Sequence, residues 1–117
     1  MDTLYSKMKP YLGNEMQLME RMAGRLDLWE ECVRMFPREE IILAMDESLR
    51  CGDNTGLYKE VHRLKGNLAN FGFDALAQKA AEVLRYIKEN QTEQIQDRYQ
   101  ELRGEYLELI ERIGDDK

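Results

Sequence analysis

A single histidine, His62, occurs in the 117 residues, within the run His62-Arg63-Leu64-Lys65-Gly66. An imidazole nitrogen can attack an electrophile at neutral pH without a dedicated base, because this side chain exchanges its proton in that range. Lys65 follows three residues later, which on a helix places it beside His62. Its ammonium could counter the two negative charges that a phosphorylated ring nitrogen carries. Gly66 stands one turn from His62, although a glycine inside a helix costs roughly 1 kcal/mol relative to alanine. Two uses of the space it leaves stay open: an incoming partner or a neighbouring helix. Taken singly, the three residues have ordinary readings as a solvated histidine, a surface lysine and a packing glycine. In this order on one helix they point to a group-transfer site. Metal chemistry fits poorly, since no second histidine exists and Cys32 and Cys51 lie outside any ligand spacing.

The helix carrying this run is expected from about Asn54 to Phe71. Leu57, Val61, Leu64, Leu68 and Phe71 recur at spacings of three and four, which makes a core-facing stripe. His62 falls one residue past Val61, a rotation of about 100°, and so belongs on the flank of that stripe. Tyr58, Lys59, Lys65 and Gly66 surround it at three and four residues and define a second, accessible face. Asp53 or Asn54 can cap the start, and Gly72 can take the left-handed conformation after the end.

Helical spacing dominates the remaining sequence, and almost nothing alternates as a half-buried strand would. Residues 2–9 form a short helix broken near Pro10 to Gly13, expected to pack as a lid. Asn14 caps a helix that buries Met16, Met19, Met22 and Ala23 and ends near Gly24. Leu28, Cys32, Met35 and Phe36 continue the spacing. Pro37 then kinks the chain or opens a helix with Ile41, Ile42, Met45 and Leu49, closed by Gly52. Asp74 caps a helix with Leu76, Ala80, Val83, Leu84 and Ile87 inward, and Asn90-Gln91 breaks before Thr92 caps the last one. There Ile95, Tyr99, Leu102, Tyr106, Leu109 and Ile113 draw one long apolar stripe. The class is all-α, an antiparallel four-helix bundle with a short extra N-terminal helix. One domain covers 1–117, with 1–13 as an N-terminal extension and 14–113 as the bundle.

Composition bounds the partners. Hydrophobic residues at 43% and charged residues at 34% suit a folded chain. No apolar run approaches the ~20 residues that span a bilayer, and the start lacks a basic segment followed by an apolar one. No membrane association, a cytoplasmic location and two reduced thiols follow as expectations. Seventeen Lys and Arg against 23 Asp and Glu give a net charge of −6, which argues against nucleic acid as a partner. Against that acidic background Lys59, Arg63 and Lys65 bracket the histidine. A monomer is expected, and Met1 with the polar end 114–117 suits a free-standing chain.

The segment from Val61 to Phe73, with His62, Lys65 and Gly66 in a His-x-x-Lys-Gly order and the turn Asn70-x-Gly72, resembles the signature of histidine-phosphotransfer (HPt) domains of multistep phosphorelays. The resemblance extends to Leu76 and Ala80 and is compatible with the span from Asn14 to Ile113. It implies that His62 is the phosphoacceptor, that Lys65 steadies the phosphoryl group, and that Gly66 leaves room for docking. Tyr58, Lys59, Arg63, Asn67, Ala69 and Asn70 would share the docking face. Implied partners are response-regulator receiver domains and a sensor or hybrid histidine kinase. No cofactor belongs to this chain; the magnesium ion would sit on the receiver. Two positions depart from the family pattern. Leu84 stands where the next helix often carries Glu or Gln, and Asn67 replaces a usually small residue.

A sensor kinase's dimerising helix also displays a histidine, but its motif places an acidic residue directly after it, where this chain has Arg63. No glycine-rich nucleotide pattern occurs, so a phosphocarrier without autokinase activity is expected rather than an enzyme. The competing class is a helical adaptor that binds a receiver or another signalling partner without taking phosphate. Lys88, on the following helix, reads as a surface lysine unconnected with the site.

Overall fold

The computed structural model describes residues 3–35 and 39–114, and among them every regular element is helical. Three short helices come first: α1 (Leu4–Met8), α2 (Glu15–Arg21) and α3 (Leu26–Met35), with a 3-10 turn over Lys9–Tyr11. Four longer ones follow: α4 (Glu39–Arg50), α5 (Asn54–Asn70), α6 (Asp74–Lys88) and α7 (Thr92–Gly114). Helix α5 packs against α4 and α6, and α6 packs against α7. The connections 51–53, 71–73 and 89–91 are three-residue turns that fold each helix back along its predecessor. Gly52 and Gly72 take positive φ of 70° and 83° in the first two, a conformation glycine adopts without a Cβ penalty. In the third, Asn90 does so at 55°.

The expected stripes of the long helices face the core, although Phe71, the last of the α5 stripe, is half-buried just beyond the helix end. Leu57, Val61, Leu64 and Leu68 of α5 are buried, as are Leu76, Ala80, Val83, Leu84 and Ile87 of α6 and all six stripe residues of α7. On α4, Ile42 and Met45 are buried while Ile41 and Leu49 pack at the edge. Asp53 caps α5 by accepting from the Gly56 N–H at 2.9 Å.

The N-terminal third departs from its sequence reading. Asn14 does cap α2, accepting from the Gln17 N–H at 3.0 Å. The buried residue of this helix is Leu18, however, and Met16 is 75% exposed. With only seven residues, α2 stops before a methionine face can form, because Ala23 and Gly24 both turn left-handed. Helix α3 presents Trp29 and Val33 to the core and leaves Leu28 and Met35 largely in solvent. The two candidate stripes of α3 lie one residue apart. The larger ring wins: Trp29 packs edge-on against Tyr5 and Phe73, and its N–H donates to the Phe71 carbonyl at 3.1 Å. The expected short helix over residues 2–9 is α1, five residues long, with Leu4 and Met8 fully buried, and the segment after Gly24 forms its own helix, α3. Phe36 and Pro37 lie outside the described residues.

Two expected caps are not caps. Asp74 is the first residue of α6 and makes no capping bond; its carboxylate instead accepts from the Asn14 N–H at 3.2 Å. That approach needs Gly13, whose Cβ would collide with the Asp74 carboxylate. Thr92 likewise lies inside α7, behind Gln91, whose carbonyl accepts from the Ile95 N–H at 2.9 Å.

Helices α4 and α7 are tied by a polar contact at the rim of the core. Asp46 accepts from the Tyr99 hydroxyl at 2.6 Å and from Arg103 at 3.0 and 3.1 Å. Burial works to raise the Asp46 carboxyl, but the hydrogen bonds from Arg103 and Tyr99 and the guanidinium charge outweigh it and hold the group below its ordinary value. A carboxylate with a lowered value stabilises the fold above the ordinary carboxylate range and loses that contribution as pH falls through its own value. Asp46→Ala should therefore cost about 1–2 kcal/mol in urea unfolding at pH 7, discounted because both partners stay a third exposed. The gap to wild type should close as acid protonates Asp46. A gap unchanged from neutral to strongly acid pH would show that the charge plays no part.

Candidate functional site

Helix α5 places its chemistry by periodicity. Val61 and Leu64 are fully buried, so His62, one residue on from Val61, is turned to solvent. Its ring stacks on that of Tyr58, one turn earlier, with centroids 6.1 Å apart and planes 16° from parallel. Lys88 reaches over from α6 and sets its ammonium 5.7 Å from the centre of the Tyr58 ring.

A groove of about 420 Å³ runs between α5 and α6, lined by Tyr58, His62, Lys65, Ala81, Leu84, Arg85 and Lys88. No carboxylate lines it. Among the described residues, none of Lys59, Arg63, Lys65, Arg85 and Lys88 is in an ion pair. Elsewhere several basic residues pair with acidic neighbours: Lys79 holds Glu101 and Glu105, Arg103 holds Asp46, and Arg50 holds Glu47. The free cations of the groove form a basic focus on an acidic chain, which suits an anionic group beside His62. Leu84 closes the floor as a buried apolar residue.

The residues expected on one docking face separate into three places. Tyr58, His62 and Lys65 share the groove, and Lys59 and Arg63 join Tyr58 and His62 in a shallow depression beside it. Arg63 also reaches, with Asn67, a second groove of about 620 Å³ bounded by Cys32, Met35 and Ile41. Ala69 and Asn70 lie at the far end of α5, where their carbonyls accept from Arg21 at 2.9 and 2.7 Å. Gly66 is exposed, and a Cβ built on it meets no atom within 4 Å.

Arg85, Lys88 and Ala81 are the groove residues that sequence reasoning missed, and reading Lys88 as unconnected with the site is corrected by the groove. A signal for them exists. Helices joined by a tight turn pair residues equidistant from it, and Tyr58 and Lys88 are equidistant from Phe73.

A family model described as Hpt domain matches residues 38–115, which takes in α4 to α7 and begins after α3. Neither the curated proteins nor the solved structures gave a match.

The open space at Gly66 speaks against the helix-packing reading, since a glycine kept for helix contact would have a neighbour where the Cβ goes. Gly66→Ala should raise stability by up to about 1 kcal/mol through helix propensity alone. A loss of more than about 1 kcal/mol in a urea melt would restore the packing reading.

Proposed function

The chain belongs to the Hpt domain family, whose members carry phosphoryl groups on histidine in phosphorelays, and from that premise we propose that His62 is the phosphoacceptor. One observation carries the reading: the single histidine of the chain lies inside the matched span, exposed in a groove whose cations are unpaired. A receiver domain docks over the exposed face of α5 and presents an aspartyl phosphate. The lone pair of an unprotonated ring nitrogen forms the P–N bond as the acyl-phosphate P–O bond breaks, and the aspartate leaves as a carboxylate with the electron pair. Transfer to a second receiver reverses these bonds.

The chain's own part is to hold the nucleophile and balance charge. Lys65 stands beside His62 and faces the incoming oxygens, so that charge moved onto the imidazole is met by a cation already in place. Arg85 and Lys88 enlarge that field from α6. The divalent metal belongs to the receiver, and phosphate comes from a kinase elsewhere, since we assign this chain no autokinase activity. Gly66 keeps the volume above His62 open for the approach, with Lys59, Arg63, Asn67, Ala69 and Asn70 as the wider contact surface. The 1–117 chain acts as one phosphocarrier domain in the cytoplasm, as a monomer. Among the described residues no helix is long and apolar enough to cross a membrane.

Incubation with a phosphorylated receiver should leave an acid-labile, alkali-stable label on the wild-type chain. His62→Gln should keep the helical circular dichroism and take no label; a labelled variant would remove His62 from the role. A wild-type chain that binds the receiver yet never takes label would make it an adaptor.

Gly66→Gln should fold, because the position is exposed and its Cβ would enter open space. Transfer should nevertheless fall about a hundredfold, since the reacting phosphorus and nitrogen must come within about 3–3.5 Å. Unfolding in step with lost transfer would show instead that the residue supports the bundle.

A further inference from the structure

We infer that Tyr58 is the positioning residue for His62: its ring, pinned from α6 by Lys88, sets the plane of the imidazole before a partner arrives. The inference rests on His62 being the phosphoacceptor. A nucleophilic ring nitrogen must direct its lone pair along the line of attack, and an exposed histidine with no contact would rotate about both side-chain torsions. Among the described residues, His62 makes no hydrogen bond that could fix its ring. The neighbouring helix offers none either. Ala81 and Leu84 are apolar, and Arg85, which lines the groove, rests its guanidinium on the ring of Tyr86 at 4.7 Å rather than on the imidazole.

What the imidazole does have is a parallel ring one helical turn below it. A separation of 6.1 Å at 16° is an offset stack, an arrangement aromatic pairs favour. Tyr58 is itself half-buried and packs against the core, so its ring is the better fixed of the two. Lys88 holds it from the opposite helix without contesting the imidazole for a proton, because an ammonium is a donor only. The stack has a second consequence for the transfer step. As phosphorus bonds to one ring nitrogen while the other keeps its proton, the imidazole becomes cationic, and the face of an electron-rich phenol stabilises that charge. Tyr58 forms no bond to phosphorus and exchanges no proton in the step.

Two measurements on the same variants test this. Because the chain holds one histidine, the imidazole carbon-bound protons give two isolated NMR lines, which a stacked Tyr58 ring must displace upfield. Tyr58→Leu, which keeps apolar bulk against the core, should abolish the displacement, and Tyr58→Phe should retain it. Lines that do not move in Tyr58→Leu overturn the inference with no reference to phosphate. In the transfer assay, Tyr58→Leu should lower the rate at saturating phosphorylated receiver by about three- to tenfold with the half-saturating concentration unchanged, and Tyr58→Phe should recover most of it. A changed half-saturation with an unchanged saturated rate would make Tyr58 a docking residue and defeat the proposal. Wild-type protein that takes no label would defeat the phosphoacceptor reading itself, and this one with it, whereas label passing equally through wild type and Tyr58→Leu defeats only the role of Tyr58.

Discussion

Everything at the groove follows from the burial of one stripe of α5. Leu57, Val61, Leu64 and Leu68 have no solvent exposure, and they lie on the helix that packs against α4 and α6. An α-helix cannot rotate one residue without rotating its neighbours, so fixing Val61 inward fixes His62 outward and Lys65 beside it. Burial of a Leu or Val side chain is worth about 1.5–3 kcal/mol, and four of them on one helix leave little freedom for its exposed face. The position of His62 is thus a property of the core. A polar residue placed at Val61 or Leu64 would disturb the groove without touching anything in it.

The far end of α5 is held by the N-terminal segment. Trp29 and Arg21 donate to the carbonyls of Phe71, Ala69 and Asn70, at the C-terminal end of the helix where intrahelical donors run out; Ala69 also accepts from the Gly72 N–H. Gly13 donates to the Gly72 carbonyl at 2.9 Å, and the carboxylate of Asp74 closes the exchange by accepting from Asn14. The family match begins at residue 38, yet the helices before it complete the hydrogen bonding of the turn between α5 and α6. The extension is joined to the helix that carries the histidine, and to the turn that sets how α6 lies along it.

The sequence was most legible where periodic stripes are long. Six turns of α7 and the clean stripe of α5 left one inward face each, and the exposed side of His62 came with them. Legibility failed where helices are short. Seven residues of α2 hold too few positions to distinguish Leu18 from the methionines beside it, and on α3 the choice between Leu28 and Trp29 turned on a tertiary partner, the Phe71 carbonyl. Asp74 looked like a cap because its type favours caps, but a backbone N–H sixty residues away claimed its carboxylate. The α6 side of the groove was hidden for the same reason: Arg85 and Lys88 have no marked spacing relative to His62 until the turn at Gly72 brings the helices together. The stacking of Tyr58 on His62 was available as an i, i+4 pair, although residue type alone pointed to docking.

Trp29 gives the molecule an optical property of its own. It is the only tryptophan in the chain, it is fully buried, and its indole joins α3 to the backbone at the end of α5 while resting on Tyr5 and Phe73. Its fluorescence therefore reports the docking of the N-terminal helices, whereas far-ultraviolet dichroism is dominated by α4 to α7, which hold most of the helical residues. The two signals separate the chain into its matched bundle and its extension without any label. Detachment of the first three helices would shift the emission to the red while the dichroism kept the larger share contributed by α4 to α7, and a single cooperative unit would lose both together.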